Sequence, residues 1–287
     1  MSRIQLTKQI GQAMHRVITS DNVDLYIKDW GKGKPVILLA GWPLSADSWD
    51  DQAIGLVEAG YRVISYDRRG FGRSSQPWTG YDYNTLADDL AAVIFQRGLE
   101  DVTLVGFSMG GGEVARYLSR HKGQHVSKVG LIASVVPYML KTIDNPNGTE
   151  QAIFDKIDAA IKVDRAKFFT GFFKDFYGVS SISETVSDEV IDWSRSVAMQ
   201  ASLKATLECV KSFSSTDFRG DLSAFNMPTL IIHGTEDKTV PIAASARAAA
   251  KAIPHATLIE YDGSPHGLLA SDKERITNDL LQFLKSE

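Results

Sequence analysis

Short apolar runs of strand length recur along the chain and predict a β-sheet. Two partly alternating segments, 14–20 and 23–30, come first and are separated by a polar Asp21-Asn22 turn. Six later runs are rich in Val, Ile and Leu and mostly lack alternation, which is typical of strands that a parallel sheet buries on both faces. These runs occupy residues 36–40, 63–66, 102–105, 129–133, 229–232 and 257–261.

Helical patterns lie between several of these runs, at 86–97, 114–121 and 243–253. Strands that alternate with helices form right-handed βαβ units, in which the helices cover both faces of a sheet. The pattern therefore predicts an α/β protein with three layers and a mostly parallel sheet.

Region 137–223 interrupts this alternation, because it holds helix-like segments and no convincing buried strand. Amphipathic helices must bury their apolar faces. We predict a core of residues 1–136 and 224–287, with 137–223 inserted as a helical cap over an active site. The alternative is that these helices only enlarge one domain. The aromatic residues of the region are interpreted as packing rather than as a cofactor site, with contact of a few rings to a substrate left open. Those aromatic residues are Phe154, Phe168, Phe169, Phe172, Phe173, Phe176, Tyr177 and Trp193.

Composition removes several classes of protein. The chain has 287 residues, of which 44% are apolar and 23% charged, as in ordinary globular proteins. A net charge of −4 without a basic block makes nucleic acid a poor partner. The lone Cys209 cannot form an internal disulfide. No apolar run reaches the length of a membrane span and no secretory signal is evident, so a cytoplasmic protein without membrane partners is expected.

A nucleophile motif follows the 102–105 run. Gly106-Phe-Ser-Met-Gly110 stands between a predicted strand and a predicted helix, the context in which G-x-S-x-G forms a nucleophile elbow. The glycines permit a sharp turn, and the helix N-terminus favours negative charge near Ser108. Ser108 is the candidate nucleophile, and the alternative is a glycine-rich turn that serves packing.

A serine hydroxyl needs a base, and a histidine base needs a carboxylate that orients it. Of six histidines, only His266 follows the last predicted strand, and Asp237 follows the 229–232 strand. The order Ser108, Asp237, His266 is the order of triads on this architecture. Glu236 and Asp262 remain alternatives for the carboxylate. His233, which closes the 229–232 strand, is interpreted as structural.

Acyl transfer also requires hydrogen-bond donors for the oxyanion. The backbone amide of Met109, directly after the nucleophile, is one candidate. The amide of Trp42, in the loop after the 36–40 strand, is the other, and Pro43 would stiffen that loop. No CxxC, HExxH or HxxEH motif occurs, so a metal site is not expected. Gly70-Phe-Gly-Arg-Ser-Ser75 lacks the final glycine of a dinucleotide fingerprint, and acyl transfer on a serine needs no organic cofactor, so none is expected.

These motifs resemble the α/β-hydrolase superfamily, and within it the cofactor-free (non-haem) haloperoxidase group of bacterial serine esterases and perhydrolases. The resemblance covers essentially the whole chain after residue 14. It includes Gly41-Trp-Pro-Leu-Ser45, Tyr66-Asp-Arg-Arg-Gly-Phe-Gly-Arg-Ser-Ser75, Gly106-Phe-Ser-Met-Gly-Gly111, Phe172-Phe-Lys-Asp-Phe-Tyr-Gly178, Thr216-Asp-Phe-Arg219 and Pro265-His-Gly267.

The resemblance implies hydrolysis of small carboxylic esters through a serine acyl-enzyme, with water or hydrogen peroxide as the acyl acceptor. It implies the triad and the two amide donors named above, and an acyl pocket lined by Val135, Met139 and Thr239. Two residues depart from the group's pattern. Ala40 stands where many relatives have histidine, and Thr239 is polar where an apolar residue is common.

The sequence therefore predicts a serine carboxylesterase that also forms peracids. A lactamase or amidase on the same triad is the alternative enzyme. A non-catalytic binding protein with a hydrolase fold is the alternative from another class. A nucleophilic aspartate, as in epoxide hydrolases or dehalogenases, is disfavoured because residue 108 is serine. A homo-oligomer is left open.

Overall fold

An eight-stranded sheet forms the centre of the fold in the computed structural model, which describes residues 15–180 and 183–286. The strand order is β1-β2-β4-β3-β5-β6-β7-β8. β2 pairs antiparallel with β1 and with β4, and the remaining pairs are parallel. The strands are β1 Arg16–Ile18, β2 Asp24–Gly31, β3 Pro35–Leu39, β4 Arg62–Tyr66, β5 Val102–Phe107, β6 Val126–Ile132, β7 Thr229–Gly234 and β8 Thr257–Tyr261.

Nine α-helices are present in the described ranges 15–180 and 183–286. They are α1 Asp50–Glu58, α2 Tyr83–Gln96, α3 Met109–Arg120, α4 Gln151–Phe176, α5 Asp188–Met199, α6 Leu203–Ser215, α7 Ala246–Ala252, α8 Leu268–Ser271 and α9 Lys273–Lys285. Two 3₁₀-helices, Ala46–Trp49 and Arg219–Ala224, complete the elements.

The central strands are buried along their length, which explains their apolar runs. Every residue of β5 and β7 is buried, and four of the five residues of β3 and β4 are buried. Because β3, β5, β6, β7 and β8 run parallel, their carboxyl ends meet at one edge of the sheet. All eight predicted strands and the predicted fold class are confirmed, although residue 14 of the first predicted strand lies outside the described residues.

Three helices, α4 to α6, stand between β6 and β7. Helix α4 breaks at Asp164, whose backbone is non-helical (φ −158°, ψ 90°) and whose carboxylate accepts the Lys167 amide at 2.9 Å. The Ser187 and Ser202 side chains cap the starts of α5 and α6. Three helices thus lie where the sequence predicts an insertion, while the assignment of 137–223 as a cap on the core stays a prediction.

Candidate active site

Ser108 occupies a strained turn between β5 and α3. Its backbone has φ 52° and ψ −118°, a combination that residues with a side chain rarely adopt. A Cβ on Gly106 would lie 2.6 Å from the Gly110 backbone, and one on Gly110 would lie 2.5 Å from the Leu39 carbonyl oxygen. Only glycine allows such close approach, so these two glycines make the elbow possible.

The His266 imidazole bridges Ser108 and Asp237. His266 Nε2 lies 2.9 Å from Ser108 Oγ, and His266 Nδ1 lies 2.6 Å from Asp237 Oδ2. Phe107 and Phe176 pack against the ring, with centroid distances of 5.2 and 4.8 Å, and restrict its orientation. An Nδ1 proton donated to Asp237 leaves the Nε2 lone pair directed at the serine hydroxyl, which is the tautomer that a general base requires.

Backbone amides and imidazoles hold the Asp237 carboxylate. Asp237 Oδ1 accepts the Thr239 amide at 2.9 Å and the Val240 amide at 2.8 Å. Burial alone would raise the pKa of the Asp237 carboxyl. The charge of a protonated His266 and hydrogen bonds from both neighbouring histidines outweigh burial and hold that pKa well below its usual range. Asp237 is therefore ionised and can stabilise a protonated His266.

The alternatives to His266 and Asp237 lie away from Ser108. His121 pairs with Asp88 and His125 with Glu100, while His255 contacts the Met227 carbonyl at 3.0 Å. His15 is exposed, and so are Glu236 and Asp262. The structure thus brings together the three residues that the chain order selected.

His233 contacts Asp237, which the sequence did not predict. Its ring is fully buried, and His233 Nε2 lies 3.1 Å from Asp237 Oδ2 and 2.9 Å from the Val240 carbonyl oxygen. One imidazole therefore touches both the carboxylate and the loop that carries it. The only signal in the sequence is that His233 precedes Asp237 by four residues, which does not show that the loop turns back.

The two candidate oxyanion donors flank the serine. Met109 is the first residue of α3, so its amide has no acceptor within the helix. Trp42 lies in a tight turn in which the Leu44 amide donates to the Gly41 carbonyl at 2.9 Å. A Cβ on Gly41 would lie 3.0 Å from the Ser108 Cβ, so the turn passes directly beside the nucleophile. The Trp42 indole Nε1 donates to the Thr206 carbonyl of α6 at 3.1 Å.

A cavity of about 720 Å³ opens beside Ser108. Val135, Met139 and Thr239, the three pocket residues implied by the resemblance, all line it. Helices α4 and α6 contribute much of the apolar wall through side chains such as Phe168, Phe172 and Phe213. The sequence leaves open which of the aromatic residues in 137–223 face a substrate. Helical spacing alone does not distinguish a residue that faces the cavity from one that faces the core.

The family of the chain follows from comparison with known proteins. A family model described as the α/β hydrolase fold matches residues 34–272. The chain belongs to the α/β-hydrolase family. Its sequence is 44% identical to that of a non-haem haloperoxidase from Rhodococcus erythropolis, and the match covers 94% of this chain and 99% of the relative.

Two further relatives show which group of α/β hydrolases this chain resembles. It is 40% identical to a bifunctional esterase/perhydrolase from Acinetobacter calcoaceticus, with coverage of 95% of this chain and 100% of the relative. The crystal structure of a bromoperoxidase from Bacillus anthracis matches with a TM-score of 0.91 and 46% identity, covering 94% and 99% of the two chains. The predicted resemblance to the non-haem haloperoxidase group is confirmed.

The described residues, 15–180 and 183–286, hold neither a membrane-spanning helix nor a metal-binding cluster. In these ranges no helix of the hydrolase is long and apolar enough to span a membrane. The same ranges contain no cluster of three or more His, Cys, Asp or Glu residues that could hold a metal ion.

Proposed function

We propose that this α/β hydrolase is a serine carboxylesterase that forms an acyl-enzyme and also accepts hydrogen peroxide. The observation that carries the proposal is the continuous chain of hydrogen bonds from Ser108 through His266 to Asp237. The similarity to an esterase/perhydrolase and to haloperoxidases supports the same class of reaction.

The reaction begins when Ser108 Oγ attacks the ester carbonyl carbon and His266 Nε2 accepts the hydroxyl proton. The negative charge that develops on the carbonyl oxygen is stabilised by the amides of Trp42 and Met109. The tetrahedral intermediate then breaks its bond to the alkoxy group, which takes the proton from His266 and leaves as an alcohol. The acyl group remains on Ser108 as an ester.

The second half of the reaction returns the serine. Water or hydrogen peroxide gives a proton to His266 and attacks the acyl carbon through oxygen. The intermediate releases Ser108, which recovers the proton from His266. Water yields a carboxylic acid and peroxide yields a peracid, so no electron transfer and no metal is needed in either step.

The cavity defines where the substrate would bind. We place the acyl group among Val135, Met139 and Thr239, beneath the helices of residues 137–223, which act as a cap on the core of 1–136 and 224–287. A volume of about 720 Å³ is in the range of sites that hold drug-sized ligands. The site therefore has room for small esters and for aryl esters.

Replacement of the nucleophile tests the proposed function. The Ser108→Ala variant should lose at least about a thousandfold in kcat on a short aryl acetate, because it removes the hydroxyl that is hydrogen-bonded to His266 Nε2. The assay is run with and without hydrogen peroxide, and peracid is measured separately. Ser127→Ala serves as the control, since Ser127 lies at the opposite end of the sheet, near the start of β6.

A folded Ser108→Ala protein that keeps its turnover would contradict the proposal. Failure of the wild-type serine to react with an organophosphonate would instead favour a binding protein. Turnover of a small bicyclic lactam above that of the aryl acetate would favour an amidase.

A further inference from the structure

A buried arginine lies beside the oxyanion loop. Arg68 follows β4, and its Nε donates to Glu113 Oε1 at 2.6 Å while its Nη2 donates to the Ala40 carbonyl oxygen at 2.6 Å. The two charged side chains are only 3% and 1% exposed. The Tyr66 hydroxyl donates to the other carboxylate oxygen of Glu113 at 3.1 Å. The guanidinium thus joins a carboxylate on one element to a backbone carbonyl on another.

A buried ion pair is a costly way to hold a core together. Moving each charge out of water costs roughly several kcal/mol of folding free energy. A protein in which an apolar pair of similar size replaces the ion pair is often equally stable or more stable. Among the described residues, the Arg68 Nη1 also has no hydrogen-bond partner, which adds to the cost. Packing alone therefore does not explain why Arg68 and Glu113 are charged.

The two elements that Arg68 joins carry the two proposed oxyanion donors. Glu113 lies on α3, four residues after Met109 at the start of that helix. Ala40 directly follows β3 and precedes Trp42 by two residues. A hydrogen bond to the Ala40 carbonyl fixes the peptide plane at which the oxyanion loop leaves the sheet. The Arg68–Glu113 pair therefore ties that loop to the helix of the nucleophile.

We propose that Arg68 is a positioning residue, which holds the segment from Ala40 to Trp42 at a fixed distance from the N-terminus of α3 so that both amides meet the same oxyanion. The inference rests on the proposed function. Oxyanion donors act only when they are aimed at the developing charge, and misplacement by about 1 Å can cost roughly a hundredfold in rate. If the two amides lose their fixed positions, stabilisation of the transition state should weaken more than binding of the ester.

The decisive variant removes the bridge without leaving a charge unpaired. In Arg68→Met/Glu113→Gln, the methionine fills space and the glutamine can still accept from Tyr66. We expect kcat on an aryl acetate to fall about ten- to a hundredfold, with KM within about twofold of wild type. Inhibition by a boronic acid, which forms a tetrahedral adduct with Ser108, should weaken by a similar factor. The thermal unfolding midpoint should fall only by the loss of the hydrogen bond to the Ala40 carbonyl, because no charge is left unpaired.

The neighbouring arginine provides a matched control. Arg69 is 1% exposed and pairs with Asp89, which is 2% exposed, through Arg69 Nε and Asp89 Oδ2 at 2.7 Å. It also pairs with Asp21 in the turn before β2. Arg69→Met/Asp89→Asn therefore neutralises a second buried pair that serves other elements. Its kcat on the aryl acetate should equal that of wild type.

Each outcome decides the proposal. A folded Arg68→Met/Glu113→Gln protein with wild-type kcat overturns it, and so does an equal loss of kcat in the Arg69 control. If the double variant does not fold, Arg68→Lys replaces it and should lower kcat severalfold at unchanged KM, and an undiminished kcat again overturns the inference. A wild-type protein that does not hydrolyse the ester overturns the proposed function as well.

Discussion

Cys209 shows how the surroundings of one residue change its chemistry. The thiol is fully buried in α6, and burial raises its pKa to about 12. Thiolate is the reactive form of cysteine, so at neutral pH this side chain is a small apolar group. We therefore expect a structural role for the Cys209 thiol, while the hydroxyl of Ser108 remains the proposed nucleophile.

Thiol labelling checks this prediction. The native protein should react with a thiol-specific reagent at least about a hundredfold more slowly than a free cysteine, because both burial and the raised pKa suppress the thiolate. In denaturant one equivalent should react, which provides the control. Rapid labelling of native protein, or loss of esterase activity on labelling, would contradict the structural role.

The residue scale also marks a limit of sequence reasoning. Ser108 could be predicted because the strand, the glycines and the helix that create its strained turn are all neighbours in sequence. His266 could be predicted because it follows the last strand of a parallel sheet. The contact of His233 with Asp237 could not, since it depends on the path by which the loop after β7 returns to the strand.

At the scale of single elements, replacement by alanine should have opposite effects on stability at two glycines. Gly171 lies within α4, and an added Cβ would meet nothing within 4 Å. Gly106 is the last residue but one of β5, and a Cβ there would lie 2.6 Å from the Gly110 backbone. Gly171 therefore lowers the stability of its helix relative to alanine, whereas the fold requires a glycine at position 106.

Equilibrium unfolding in denaturant checks this contrast. Gly171→Ala should stabilise the protein by about 0.5–1 kcal/mol, the usual difference in helix propensity between the two residues. Gly106→Ala should destabilise it by about 2 kcal/mol or more, since the nucleophile helix must shift away from β5. A neutral Gly106→Ala would show that the elbow is looser than the contacts indicate.

The elements themselves were predictable to different degrees. The strand runs stand out because burial on both faces leaves long apolar segments, as in β5 and β7. The break in α4 at Asp164 was not predicted, because the flanking sequence continues a helical pattern and the bend appears only through backbone angles. The sequence also contains no signal for the short helix α8 after His266.

Acid stability is a property of the whole molecule, to which Asp21 contributes. A hydrogen bond from Arg69 is the main reason that the pKa of Asp21 falls to about 2, and burial opposes it only partly. The unfolded chain has the higher pKa of an ordinary aspartate, so this ion pair stabilises the fold above that value. The stabilisation is lost as the pH falls from about 4 towards 2.

An Asp21→Asn variant should therefore be less stable than wild type at pH 7, and the difference should shrink between pH 4 and pH 2. The measurement is the free energy of unfolding in urea across that range. Asp24→Asn is the control, because Asp24 pairs at 3.4 Å with Arg16, whose side chain is 39% exposed, whereas Asp21 pairs at 2.8 Å with Arg69, which is 1% exposed. A difference in unfolding free energy between wild type and Asp21→Asn that is unchanged at pH 2 would contradict a stabilising role for the Asp21 charge.

The sequence by itself determined the strands, the elbow and the order of the triad. Apolar runs, glycine spacing and chain order act over a few residues or follow from the topology of a parallel sheet. Only the tertiary structure decided which cap aromatics face the cavity, and which charges lie under the oxyanion loop. Those features join residues far apart in the chain, such as Arg68 with Glu113, and depend on how distant elements pack.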